Sequence, residues 1–439
     1  MKLTILRSRV PLAVGSVCLA VLATACGADH GDKADAAGTS GKPVTLDYWG
    51  WTVGAKDVAD EFNKTHKDIK VKFSQIAGGP DGYAKITNAI KAGNAPDVAG
   101  IEYNHLPEFA GQGLLEDLTP EAGATVKAKY SEAIQDRVTL GGKVWAVPYD
   151  ATPSLFFYRK DIFKKAGVDE VPKTWGEFKK AAEKIKKSDS EVRIAGWGSD
   201  DPALLPALSW QAGGKWYSTQ GDSWKVGIDD AASRKVADYW QGLTKDDLVK
   251  KTNFTGPEFT KALTDGSIAG YIGASWSAGG HLVTYPKQKG KWGVAPLPNW
   301  GTPASGMYGG TTYAVPKGTE NVKAAAEFAQ WAATTPDAVK ARLSNLQSPS
   351  SALPAIPALR DVAAASFDDK GYFGGDDIYK VAGEAADTIV PGWTWGPVGA
   401  ATDTAIGDAW AKGTVADGLA AGQKAAEKAI KDRGLNLAK

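Results

Sequence analysis

Residues 44–98 run through Val44-Thr45-Leu46-Asp47-Tyr48-Trp49, then Ile69-Lys70-Val71-Lys72-Phe73, and close on Pro96-Asp97-Val98. The first two alternate apolar with polar, the period of a half-buried strand. Gly50 ends the first. Between them Val58 and Phe62, four residues apart, share one face of a helix. The loop Gly78-Gly79-Pro80-Asp81-Gly82 precedes a helical run from Tyr83 to Ala92. Strand and helix alternate, which predicts an α/β unit with a mainly parallel sheet. In such sheets ligands bind beyond the carboxyl ends of the strands. That makes the loops at Gly50-Trp51-Thr52, at Gly78–Asp81 and at Glu102-Tyr103-Asn104 the first binding candidates.

The same alternation continues outward. Lys143 to Asp150 reads as a strand, and Ser154 to Tyr158 as a second close behind, a short connection that could link two domains. Thr174-Trp175-Gly176-Glu177 is a capping box, which predicts a helix to about Lys187. Arg193 to Gly198 reads as a strand feeding a loop with Asp200 and Asp201. Helices are expected at about 203–212, 231–243 and 257–265. Ser267 to Ala274 would be a strand delivering Ser275-Trp276. Tyr308 to Val315 would be another, followed by helix from Asn321 to Ala333 and a last helix over Gly418–Lys431. A chain of 439 residues is long enough for two or more domains, and it has no internal repeat.

Hydrophobic residues make up 43% and charged residues 23%, a globular balance. The 51 basic and 50 acidic residues leave no basic stripe, so nothing points to nucleic acid. The amino terminus reads as a secretory leader: Lys2, Arg7 and Arg9, then an apolar Val10–Ala23, then small residues before Cys26. Cys26 after Ala23-Thr24-Ala25 resembles a bacterial lipobox, although Ala23 stands where Leu is usual. Residues 1–25 are therefore expected to be removed and Cys26 lipidated. The other cysteine, Cys18, lies in the leader, so the mature chain has no internal disulfide to form. Residues 26–42 are small and polar and read as a tether.

Tryptophan is the outlier, at 16 residues. Pro391-Gly392-Trp393-Thr394-Trp395-Gly396-Pro397 places two in a Gly- and Pro-fenced loop, with helix resuming near Ala400. An indole is broad, loses few rotamers and has one N–H, so the pair is expected to form a platform for a flat C–H-rich ligand such as a pyranose. Trp145, Trp175, Trp240, Trp331 and Trp410 lie within elements and are expected in the core. Trp197, Trp210, Trp216 and Trp224 cluster in one stretch, of which one could reach ligand.

An ordered set of motifs extends over residues 43–439. It comprises Trp49-Gly50-Trp51, Ala95-Pro96-Asp97-Val98, Gly113-Leu114-Leu115-Glu116-Asp117-Leu118, Ala146-Val147-Pro148 and Phe157-Tyr158-Arg159-Lys160-Asp161. Pro172-x-Thr174-Trp175-x-Glu177, Gly273-Ala274-Ser275-Trp276, Gly309-Gly310 and Trp393-x-Trp395 complete it. In this order they resemble the extracellular sugar-binding lipoproteins of ABC importers, the maltose-binding-protein-like group. The resemblance implies a two-lobed periplasmic-binding-protein-like α/β fold, with discontinuous lobes joined by a hinge. It implies lobe 1 at 43–149 and 308–360, and lobe 2 at 150–307 and 361–439. It further implies high-affinity capture of a di- or oligosaccharide between the lobes and delivery to an ABC permease. The protein would be a monomer, lipid-anchored on the extracellular face of a bacterial cytoplasmic membrane. Trp276 falls at the family's stacking position, as does one of Trp393 and Trp395. Asp81, Glu102, Asn104, Thr152 and Asp201 fall in loops with polar contacts, with Trp51, Asp150 and Gly310 beside them. Glu102 or Tyr103 replaces the maltose binder's third-loop aromatic, and Thr152 its hinge carboxylate. Those departures put maltose itself in doubt.

Two other function classes compete with this reading. A glycoside hydrolase needs two carboxylates flanking a bond; no nucleophile elbow, His-Glu-x-x-His, Walker or dinucleotide motif accompanies the acids, so no catalytic residue is assigned. The same fold with a peptide or polyamine ligand would want an acidic cleft. No cofactor and no metal site are expected, because His30, His66, His105 and His281 are scattered and read as solvated.

Overall fold

Along the strand Val44–Gly50, Leu46, Tyr48 and Gly50 are buried while Thr45 and Asp47 face water, so the alternation sets the sheet face. The computed structural model describes residues 43–201, 203–254 and 256–438. The leader over 1–25, Cys26, His30 and the tether over 26–42 lie outside the described residues. Residues 43–439 form a single compact unit by their contacts.

Val44–Gly50 pairs in parallel with Ile69–Gln75 on one side and Val98–Glu102 on the other. The crossover helices are Ala55–Thr65, with Val58 and Phe62 buried as their spacing requires, and Gly79–Lys91. Thr311–Ala314 then enters antiparallel between Val98–Glu102 and Ala146–Pro148, completing five strands. The expectation of a mainly parallel sheet therefore holds for the first three strands only. The return strand belongs to a segment some two hundred residues later and enters from the opposite end, so it runs the other way.

A second sheet has Leu155–Arg159 at its centre, antiparallel to both Gly270–Gly273 and Trp292–Pro296. Leu155, Phe156 and Phe157 are all buried, as a central strand covered on both faces should be. Beside it, Val249–Lys251 runs parallel to Ala195–Trp197. The predicted capping box is complete: the Glu177 N–H donates to Thr174 Oγ1 at 3.2 Å, and Glu177 Oε2 accepts the Thr174 N–H at 3.1 Å. It opens the helix Trp175–Ser188, and Trp175 is buried with its Nε1–H on Gln211 Oε1 at 3.0 Å.

The chain passes between the sheets in segments that lie side by side. The Ser154 N–H donates to Gly306 O at 3.0 Å and the Tyr308 N–H to Thr152 O at 2.8 Å. Leu353 pairs with Ala151 and Pro354 with Asp150.

Two histidine expectations fail. His105 and His281 are buried, not solvated. His281 lies among Tyr271, Phe157 and Trp292, with Nε2 at 2.7 Å from the Tyr271 hydroxyl, and burial pushes its pKa down to about 3. Of the tryptophans expected in the core, Trp175, Trp240 and Trp410 are buried, whereas Trp145 and Trp331 are half-buried against its margin. Among the described residues no helix is long and apolar enough to cross a membrane.

Candidate ligand-binding cleft

Where strands of both sheets end, a cleft of about 550 Å³ opens. Trp51 and Thr52, just past Val44–Gly50, and Glu102, at the end of Val98–Glu102, line it from the first sheet. Asp201, after Ala195–Trp197, and Trp276, after Gly270–Gly273, line it from the second. The crossing segments supply Tyr149, Asp150 and Tyr308 to Thr311, and the stretch from Gln347 to Ala352 closes one side. This is the position the strand-end rule predicts. Another cavity, about 370 Å³, lies by Pro172, Leu297 and Pro303; Lys173 and Glu384 are its only charged lining residues and it has no aromatic wall.

Trp276 is the conspicuous group. It precedes the helix Ser277–Thr284 and is 45% exposed, although a large apolar side chain in a soluble protein gains by burial. Its Nε1–H reaches the Tyr308 carbonyl at 3.3 Å, and its ring lies 5.7 Å from that of Tyr308. Val53 and Val283, also exposed, stand on the same walls. The glycines opposite keep the space free. A Cβ on Gly309 would come 3.7 Å from Trp276 Nε1 and 3.9 Å from Glu102 Oε1, so indole and carboxylate flank one small volume. Gly310 has φ +101°, and a Cβ there would meet Thr152 Oγ1 and the Tyr103 ring, both at 2.8 Å.

The carboxylates are half-buried or buried and perturbed. Glu102 accepts the Tyr83 hydroxyl, and Asp201 accepts that of Tyr308. Burial raises the pKa of both; Asp201 raises Glu102 further, and Asp200 raises Asp201. Burial pushes Asp150 up to about 7, against the Thr311 N–H, which donates to its Oδ1 at 2.8 Å. The site combines a flat apolar ring with several oriented acceptors, a combination suited to a ligand with a C–H face and many hydroxyls.

The expected residues divide. Trp51, Glu102, Asp150, Asp201, Trp276 and Gly310 come together on the cleft walls. Thr152 lies directly behind, fully buried, its hydroxyl donating to Gly309 O at 2.9 Å, so it supports the wall rather than facing the cleft. Asp81 is exposed in the first turn of Gly79–Lys91, where a carboxylate favours the helix dipole, and is not on the walls. Asn104 also lies off the walls; its carbonyl is 3.2 Å from the Cβ position of Gly399. Tyr103 is buried and donates to Asp150 O at 2.9 Å.

The expected Trp393–Trp395 platform is not built at the cleft. Trp393 is 1% exposed and stacks on Trp210, centroids 5.0 Å apart and planes within 9°. Trp395, half-buried, stands edge-on to both. The loop does leave the helix as its Gly and Pro require, but it turns the ring inward onto an apolar partner. Tyr149, Tyr308, Thr311 and the 347–352 stretch were not anticipated. Tyr308, next to Gly309-Gly310, was the one with a local signal.

Residues 49–339 match the model of the bacterial extracellular solute-binding proteins. The diacetylchitobiose binding protein DasA of Streptomyces coelicolor is 28% identical over 340 residues, 72% of this chain and 76% of that one. An arabinooligosaccharide-binding protein of Bacillus subtilis is 27% identical over 67% of this chain and 70% of its own length. Among solved structures, the galacto-N-biose-/lacto-N-biose I-binding protein of the ABC transporter from Bifidobacterium longum, in complex with lacto-N-biose, superimposes with a TM-score of 0.79. It is 29% identical, covering 91% of this chain and 100% of that one. The ABC transporter associated binding protein of B. animalis subsp. lactis Bl-04, in complex with beta-1,6-galactobiose, gives a TM-score of 0.77 at 30% identity, over 90% and 100% of the two chains. With its strand-end cleft and a family match over most of its length, the chain belongs to the bacterial extracellular solute-binding proteins, in the two-domain α/β fold.

Proposed function

We propose that this protein captures a di- or oligosaccharide in the cleft and hands it to the permease of an ABC importer. The observation that carries the reading is Trp276, nearly half exposed beside Glu102 and Asp201: a stacking face next to hydroxyl acceptors. The ligands of the relatives, diacetylchitobiose, arabinooligosaccharide, galactobiose and lacto-N-biose, support the same class. The contact residues are Trp51, Glu102, Asp150, Asp201, Trp276 and Gly310. The lobes divide at the crossing segments, into 43–149 with 308–360 and 150–307 with 361–439. They close on the sugar without turning it over, by no more than the ligand's differential affinity for the closed form. Calorimetry with di- and oligosaccharides should give saturable binding, the sugar should be recovered intact, and scattering should show a smaller radius of gyration when bound. A cleaved sugar, or identical scattering curves at saturation, would sink the proposal of binding without turnover.

The sequence of residues 1–26 supports a lipid anchor at Cys26 on the extracellular face of the membrane. A single acyl chain holds only marginally, so a stable anchor needs more than one. Cys26→Ser should move the protein to the aqueous phase of a detergent partition; if it stays with detergent, the anchor is not at Cys26.

A further inference from the structure

The charge on the cleft walls is one-sided. Glu102, Asp150 and Asp201 stand there, and among the described residues no Lys, Arg or His does. A fourth acid lies close by. Asp403, on the helix Gly399–Lys412, is raised to about 7 by burial and then by Asp201, Glu102 and Glu108. Three basic side chains around these acids are held by other groups or are neutral. Arg342 lies against the Tyr149 ring at 4.1 Å, donates to the Tyr313 hydroxyl and Ala332 O, and moderates only Asp150 among the wall acids. Arg433 pairs with Glu108 at 2.5 Å. His105, 4.0 Å from Glu108, is held down to about 4 by burial and is neutral at pH 7.

Glu102 accepts the Tyr83 hydroxyl, and Asp201 accepts the Tyr308 hydroxyl and the Ala203 N–H at 3.1 Å, which leaves lone pairs on both carboxylates open to a donor in the cleft. A sugar hydroxyl can fill them. A protonated amine fills them with a charge-assisted bond, roughly twice as strong as a neutral one. A uronate brings a further negative charge into a half-buried site with no counter-ion, where the repulsion is poorly screened.

We infer that the cleft sorts saccharides by charge, ranking an amine-bearing sugar above a neutral one and a neutral one above a uronate, and that Glu102 and Asp201 set that order. The inference rests on the saccharide reading of the cleft, whose place as a site comes from its volume and its exposed indole. The carboxylates decide only which sugars it prefers.

The test is calorimetry on the full-length protein at pH 6.5, where the amines of chitobiose are mostly protonated. Chitobiose is set against cellobiose, its counterpart with hydroxyls in place of the amines, and α-1,4-galactobiose against α-1,4-digalacturonate, with spermidine as a non-sugar cation. We expect chitobiose to bind about tenfold tighter than cellobiose, and digalacturonate about tenfold weaker than galactobiose. Glu102→Gln and Asp201→Asn should narrow both ratios, whatever they do to absolute affinity. Equal affinities within both pairs, or ratios unchanged in melting-competent variants, would overturn the charge sorting while leaving the saccharide reading intact. Binding of spermidine with no saccharide bound, or no binding at all, would instead overturn the saccharide reading and this inference with it.

Discussion

Trp276 and Trp393 both lie in short connections within three residues of a glycine, and end in opposite places. Trp393 is sandwiched in a group where Trp210 stacks on it and Trp216 lies 6.0 Å away, while the Arg137 guanidinium lies 4.7 Å from the Trp210 ring. Trp276 has one aromatic neighbour among the described residues, Tyr308, and is nearly half exposed. What separates them is the supply of apolar surface across from the ring. At 393 the helix Leu204–Gln211 provides it. At 276 the facing surface is glycine backbone and carboxylate, and that vacancy is the cleft. One region is packed for stability. The other carries an exposed indole, half-buried acids and glycines at positive φ, each of which costs stability.

The contrast makes the two regions separable by mutation. Trp393→Ala empties a packed site and should cost about 3–5 kcal/mol of stability, with affinity for sugar unchanged in whatever folds; a denaturant midpoint equal to the parent's would show that the ring is not structural. Trp276→Ala should do the reverse, weakening binding by about 2–4 kcal/mol, or thirtyfold and more, with the melting temperature near the parent's. Loss of melting temperature without loss of affinity would place Trp276 with Trp393 after all. Gly310→Ala mixes the two effects. Its Cβ would press on Thr152 and Tyr103 behind the wall, so unfolding should become about 1–3 kcal/mol easier and affinity should drop too.

The smallest effect is a gain. Asp150 is raised to about 7, so the folded protein keeps a proton that the unfolded chain releases above about pH 4. Its contribution therefore turns unfavourable as pH rises from about 4 to about 7. Asp150→Asn keeps an oxygen for the Thr311 N–H, so it should match the parent near pH 4 and exceed it at pH 8 by about 1–2 kcal/mol, the rest of the gain being cancelled by the amide's two buried N–H donors. Denaturation at the two pH values checks this; equal stability at pH 8 would mean that Asp150 is not under strain.

Much of this was legible along the chain. The strands, the capping box at Thr174, and Trp51, Glu102, Asp201 and Trp276 as strand-end residues all follow from short-range patterns and the family order. What was not legible depends on distant partners. Gly and Pro around Trp393 say that the backbone leaves the helix, but the direction of the ring is set by Trp210, whose own Nε1–H binds Val390 O, 180 residues away. The 347–352 stretch reaches the cleft because the Ser351 hydroxyl donates to Ser275 O, 76 residues distant. His281 is buried because three aromatic rings from separate segments surround it.

The placing of Thr311–Ala314 inside the first sheet has a consequence for the order of assembly. Its neighbours were made long before: Thr311 bonds Asp150 across 161 residues, and Thr312 bonds Ile101 across 211. Until that segment is available, Val98–Glu102 is an unpaired edge and Ala146–Pro148 has no sheet to join. Such long-range closure loses chain entropy before any contact compensates, which makes it slow. A nascent chain therefore waits, with an open strand edge that other chains could pair with, until three quarters of its length has been synthesised.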